Sequence, residues 1–179
     1  MRKSIIILIA LLTLGSFGAT AQGVKLGHVN SMAVMDSIPS YKRLVEYSKQ
    51  AEKEYTTQAQ ALGKKIEVLE AELQAAYKNP EMGDTEIQFL EIDYQGLMTK
   101  ANSLQSNYDK NMQTVQLRGN KIFEKFSEIL KEIAEKQGFT YIFESESQVL
   151  YASKNSKDLT DEVRKALIAY DIANPFYKV

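Results

Sequence analysis

Apolar residues in the interior of the chain recur in steps of three and four, and they do so twice. In the first stretch they fall at Tyr55, Ala59, Leu62, Ile66, Leu69, Leu73 and Ala76; in the second, at Ile87, Leu90, Tyr94, Leu97, Ala101, Leu104 and Tyr108. This spacing draws one apolar stripe along each helix, the seam of a coiled coil. Between the stretches, Tyr77 to Asp84 gathers Asn79, Pro80 and Gly83, and Pro80 is the one proline between Pro39 and Gly138. Proline removes a backbone donor, and Asn and Gly suit helix ends. The pattern predicts two long helices joined by a short turn, which must run antiparallel.

Folding the chain at Pro80–Met82 interleaves the two series in one register, in which the numbers of facing residues add to 163. Ala76 then faces Ile87, Leu73 faces Leu90, Leu69 faces Tyr94, and Tyr55 faces Tyr108. Toward the base Ala51 faces Met112, Ser48 faces Val115, Leu44 faces Gly119, and Tyr41 faces Ile122. Each helix has two consecutive steps of four, at 51–55–59 and 104–108–112, so both stutters unwind the supercoil at the same height. The seam is thin, because Ser48, Ala51, Ala59, Ala76 and Ala101 bury little apolar area. Gly63, Gly96 and Gly119 weaken the helices further. From Tyr94 to Leu117 only Lys100, Asp109 and Lys110 are charged. The expectation is a long arm that bends.

The flanking segments predict a small body. Val24 to Val29 reads as a strand, followed by a short helix capped by Asn30 or Ser31 and closed by Pro39. Beyond the arm, Phe123, Phe126, Ile129, Leu130 and Ile133 form an apolar face for the body, and Gly138 ends the helix. Phe139–Phe143 and Gln148–Ala152 predict two strands of a β-hairpin turning at Glu144–Ser147. Asp158 or Thr160 caps a last helix bearing Val163, Leu167 and Tyr170. About 60 residues bury too little surface for one chain to be comfortable, and three strands leave open edges. A homo-oligomer follows, built on Leu26, Val29, Phe139, Tyr141, Phe143, Val149 and Tyr151.

The start of the chain reads differently. Arg2 and Lys3, an apolar run from Ile5 to Leu14 and the small-residue pattern Ala19-Thr20-Ala21 predict a signal peptide cleaved between Ala21 and Gln22. The apolar run is shorter than the ~20 residues of a membrane span, and no cysteine follows the cleavage site to carry a lipid. The predicted organisation is a signal peptide at 1–21, body at 22–40, arm at 41–122 with its tip at 78–84, and body again at 123–179. The full chain has 22 basic and 23 acidic residues, so losing Arg2 and Lys3 leaves 20 against 23, a net of −3. That balance argues against a nucleic-acid partner, which rewards a clustered positive field. The absence of cysteine excludes a disulfide framework.

Candidate chemistry is sparse. His28 is the only histidine, and no motif supplies it with partners for metal or general-base work. Ser145, Ser147 and Ser153 lie in no nucleophile elbow. Asp158, Asp161 and Glu162 read as helix caps, not a calcium loop. No catalytic residue, metal site or cofactor is predicted, and no Gly-rich loop is present to cradle a nucleotide. Met82 and Met98, with adaptable thioethers, are the candidates for contact with a flexible partner.

The order of elements resembles the Skp/OmpH family of periplasmic chaperones. Four patches carry the resemblance: Lys25-Leu26-Gly27-His28-Val29-Asn30-Ser31, Gly138-Phe139-Thr140-Tyr141, Val149-Leu150-Tyr151-Ala152-Ser153 and Asp158-Leu159-Thr160-Asp161-Glu162-Val163. It implies an α+β, mostly α fold: a coiled-coil hairpin arm on a small β body that closes as a trimer, three arms enclosing a cavity. It also implies a periplasmic protein that holds unfolded outer-membrane proteins without ATP. Well-known members are strongly basic, whereas the tip here sets Lys78 against Glu81, Asp84 and Glu86, so no lipopolysaccharide site is carried over. The competing reading is a structural coiled-coil protein of the cell envelope. The apolar tail at 171–179 has no assigned role.

Overall fold

The computed structural model describes residues 24–176; the predicted signal peptide and the Ala21–Gln22 junction lie outside them. The elements are β1 (Leu26–Val29), α1 (Ser31–Met35), α2 (Pro39–Lys78), α3 (Asp84–Gln137), β2 (Tyr141–Glu144), β3 (Lys157–Asp158) and α4 (Thr160–Ala173). Two helices dominate. The 40 residues of α2 and the 54 of α3 extend about 60 Å and 81 Å at 1.5 Å per residue. Between them, Asn79 turns the chain: its N–H donates to the Ala76 carbonyl and its side-chain oxygen accepts from the Glu81 N–H, both at 3.1 Å. Gly83 N–H donates to Glu86 Oε2 at 3.1 Å and opens α3.

The three strands form one sheet in the order β2–β1–β3, and both pairings are parallel. Parallel neighbours need a long crossover, and the whole helical hairpin supplies it between β1 and β2. Leu26 pairs with Tyr141 and His28 with Phe143. Gly27 lies beneath Phe139, where an added Cβ would come within 2.9 Å of the ring. Gly138 closes α3 at φ 70°, a left-handed conformation that favours glycine.

The predicted β-hairpin does not form. Tyr141–Glu144 becomes β2, but Gln148–Ala152 is not a strand. Gln148 folds back instead: its N–H donates to the Glu144 carbonyl at 3.0 Å and its side-chain oxygen accepts the Glu144 N–H at 3.2 Å. This closed turn diverts the chain before it can pair alongside β2, and Lys157–Asp158 takes the free edge of β1. Leu150 is left fully exposed and Tyr151 84% exposed.

The core gathers Val29, Val34, Met35, Ile38, Ile122, Phe126, Ile129, Leu159, Val163, Leu167 and Phe176. Of the predicted α3 face, Phe126 and Ile129 are buried, and Leu130 and Ile133 pack against the cluster. Phe123 is exposed, because the helix turns Ile122 inward in its place. Pro39 opens α2 and does not close α1, since its fixed φ and missing N–H suit the first helical position. The last helix has Leu159 as its cap residue, without a side-chain cap bond. Thr160 instead spends its hydroxyl on the Asn30 N–H at 2.9 Å, tying α4 to β1, while Asp158 accepts the Thr160 N–H at 2.8 Å.

The arm is rooted by a buried carboxylate. Ile38 offers α2 no side-chain cap. Asp171 of α4, 2% exposed, accepts the Ser40 N–H at 2.9 Å and the Ser40 hydroxyl proton. The positive end of a long helix dipole favours an anion at this place, so α4 caps the arm from 131 positions away in sequence.

Candidate functional site

Within α2 from Ala51 to Lys78, the side chains withdrawn from solvent are Ala51, Tyr55, Ala59, Leu62, Ile66, Leu69, Leu73 and Ala76. On α3 from Ile87 to Tyr108 they are the seven of the sequence series and Met98. The pairing follows the same register: Tyr55 and Tyr108 stack with centroids 4.4 Å apart, and a Cβ on Gly119 would touch Leu44 at 3.8 Å. Between Ala51 and Tyr108 only Leu69, Leu73 and Ala76 are buried, so the best packing of this stretch lies near the tip. Below them, Tyr55, Ala59, Leu62, Ile66, Ala101 and Leu104 border an open depression of about 310 Å³ at the level of the stutter. Alanine on both sides leaves the space unfilled.

Tyrosines brace this thin seam. Tyr94 donates to Glu70 at 2.8 Å, Tyr77 donates to Glu91, and Tyr55 donates to Gln105, each across the two helices. The hydrogen bonds to Glu91 and Glu70 hold the Tyr77 and Tyr94 phenols above their ordinary value, because the carboxylate favours the protonated form.

The feature with the clearest binding character is an open groove on one side of the seam. Its α2 wall comprises Lys64, Lys65, Val68, Leu69 and Glu72; its α3 wall comprises Ile92, Asp93, Gly96, Leu97 and Lys100. The space is about 680 Å³. Val68 is 58% exposed and Ile92 64% exposed. Phe89, 65% exposed, lies three residues before Ile92 on α3. The seam is already complete, so the hairpin does not require these side chains. Their off-seam spacing, 89–92–96 beside 68, was the signal available in the sequence.

Met82 and Met98 are both half-buried, and neither lines this groove. The residues predicted for the oligomer body divide. Leu26, Tyr141, Phe143 and Tyr151 are exposed, Phe139 and Val149 are half-buried, and Val29 is buried in the chain's own core. Leu26, Tyr141 and Phe143 lie on one open face of the sheet, where the rings of Tyr141 and Phe143 sit 6.3 Å apart. His28 lies in the central strand with its Nδ1 buried, without a hydrogen bond and 3.9 Å from Asp158. Among the described residues no group of three or more His, Cys, Asp or Glu is arranged to hold a metal ion. Among them, too, no helix is long and apolar enough to cross a membrane.

The profile of the OmpH-like outer membrane protein family matches residues 25–167. The chain belongs to that family. The match runs from β1 through both arm helices into α4, so family membership rests on body and arm together. No curated protein matches the chain individually.

Proposed function

We propose that this OmpH-like protein is a periplasmic holding chaperone that encloses unfolded outer-membrane proteins between helical arms and prevents their aggregation without ATP. The OmpH-like family is a chaperone family with a role toward outer-membrane proteins, and this chain's arm suits that role. The observation that carries the reading is the exposure of Val68, Phe89 and Ile92 on an arm whose seam is already complete. Exposed apolar side chains grouped on a polar arm mark a surface that contacts other molecules. The polar, weakly charged stretch from Tyr94 to Leu117 would keep such contacts weak and releasable.

A homotrimer is part of the proposal. The open sheet face of Leu26, Tyr141 and Phe143 and the exposed Leu150–Tyr151 segment are supplied for subunit contact, and a small body gains from sharing its core. Three arms would then wall a cavity. Export through a cleaved signal peptide at Ala21–Gln22 belongs to the same reading.

An envelope spacer is the rival. A spacer is served by a stiff rod, whereas this seam has an open depression beside its alanines and buried residues only near the tip. The test mixes the purified protein with a urea-unfolded outer-membrane β-barrel at one oligomer per client and follows light scattering. Suppressed aggregation is the expected result. Scattering equal to the untreated client would sink the chaperone reading and leave the spacer.

A further inference from the structure

The groove between Val68 and Ile92 has a polarity that general stickiness does not need. Its apolar floor is bordered toward the arm base by Lys64, Lys65 and Lys100, and toward the tip by Glu72 and Asp93. The two helices run in opposite directions, yet both place cation toward the base and anion toward the tip. Among the described residues, none of these five side chains is engaged in an ion pair or a side-chain hydrogen bond. Ion pairs do form lower on α3, as in Lys125–Glu128 at 2.7 Å and Lys131–Glu135 at 3.8 Å. Five uncommitted charges, sorted by sign across an apolar floor, form a surface complementary to a segment of opposite polarity.

The groove's dimensions narrow the occupant. From Lys64 to Glu72 is eight helical steps, about 12 Å along the axis. An extended chain covers that distance in about four residues at 3.3 Å each. The walls are helices whose backbone groups are bonded internally, so no strand can be added to them by main-chain pairing. Recognition must rest on side-chain surface and end charges, and is tolerant of the apolar sequence. At Gly96 a Cβ would meet nothing within 4 Å, so the glycine leaves room that a bulky side chain would fill.

We propose that this groove grips a short extended apolar segment of an unfolded polypeptide and orients it by charge, with the segment's carboxylates toward Lys64, Lys65 and Lys100 and its cations toward Glu72 and Asp93. This rests on the holding reading and adds to it a direction and a preferred pattern: acidic, then about four apolar residues, then basic. Each arm thereby offers a defined grip as well as a general surface.

The test uses the full oligomer and two fluorescein-labelled peptides with blocked ends. One has two acidic residues, four apolar residues and two lysines; the other has the same apolar centre between neutral residues. Anisotropy titration at low salt should give the charged peptide about tenfold tighter binding, equivalent to ~1.4 kcal/mol. That advantage should shrink toward zero at roughly 0.5 M salt, where the screening length is a few ångströms. Gly96→Leu, which keeps a good helix former on the wall, should weaken both peptides about tenfold or more. The triple change Lys64→Glu, Lys65→Glu and Lys100→Glu should remove the preference for the charged peptide.

Unchanged binding in Gly96→Leu, or an unchanged preference after the triple reversal, overturns the proposal. So does a Gly96→Leu oligomer that sediments as a smaller species, since the groove would then be a contact between copies of the chain. The two readings fail separately. A wild-type protein that suppresses client aggregation but ignores both peptides keeps the chaperone and loses this grip. One that binds the peptides with the stated preference but leaves aggregation unaffected keeps the grip and loses the chaperone.

Discussion

Asp171 and Asp158 do different work in the body. Asp171 is buried and fastens α4 to the first turn of α2 through the Ser40 N–H and hydroxyl. Replacing it with alanine strands three donors, the Ser40 N–H and hydroxyl and the more distant Phe176 N–H at 3.5 Å, and removes the only side-chain cap at that turn. Asp171→Ala should therefore cost about 2–4 kcal/mol in urea unfolding, and Asp171→Asn, which keeps an acceptor, should cost less. Asp158 is the acid-sensitive residue. Burial alone would push its carboxyl up, but hydrogen bonding with Thr160 and the charges of His28 and Arg164 outweigh burial and hold it below the ordinary aspartate value. Because the folded value is the lower one, the stabilisation is present above the unfolded value, about 3.9. It is lost as pH falls through the folded value. The stability difference between wild type and Asp158→Asn should therefore be flat near neutrality and shrink below about pH 4, as urea midpoints across pH would record. Asp158 was legible as a cap, since its main partner, Thr160, lies two residues on and His28 contributes less. The Asp171 contact was not legible, because the residue fell in an unassigned tail and its partner, Ser40, lies 131 positions away.

At the scale of elements, the arm was the most readable part of the molecule. Helix periodicity, Asn79-Pro80 at the turn and one constant register together specify two antiparallel helices, and the Tyr55–Tyr108 stack and the Leu44–Gly119 approach follow that register. What it did not reveal is where the arm is tight. The buried apolar residues of α2, Leu69, Leu73 and Ala76, cluster near the tip, while Gly63 and Gly96 have open space where a Cβ would go. Gly63→Ala and Gly96→Ala should each stabilise the arm by about 0.5–1 kcal/mol. Amide exchange in the arm should slow while the body's rates stay constant; unchanged arm rates would mean that neither glycine contributes to its flexibility. The β-hairpin was misread for a local reason. Gln148–Ala152 has strand-forming residues, but the Glu144–Gln148 turn bends the chain away, and propensity cannot register a side chain competing for a strand's backbone donor.

For the whole molecule, Leu150 and Tyr151 are exposed in one chain, where nothing compensates such large apolar side chains for contact with water. The double change Leu150→Asp and Tyr151→Asp should shift the sedimenting species from oligomer toward monomer and reduce suppression of client aggregation with it. A full-sized oligomer in that variant would place the subunit contacts elsewhere, the sheet face of Leu26, Tyr141 and Phe143 being the next surface to alter. The amino-acid sequence by itself determined the hairpin, its register and its thinness, because helix periodicity and turn chemistry are local and a seam of two helices inherits its pairing from the turn between them. Only the tertiary structure decided that the sheet is parallel with the arm as its crossover, that α4 caps the arm through Asp171, and that Lys64, Lys65, Val68, Ile92 and Lys100 share one groove. Those outcomes depend on which distant segments compete for the same backbone donors and on which helix faces are left over once the seam is closed. No single stretch of sequence carries either kind of information.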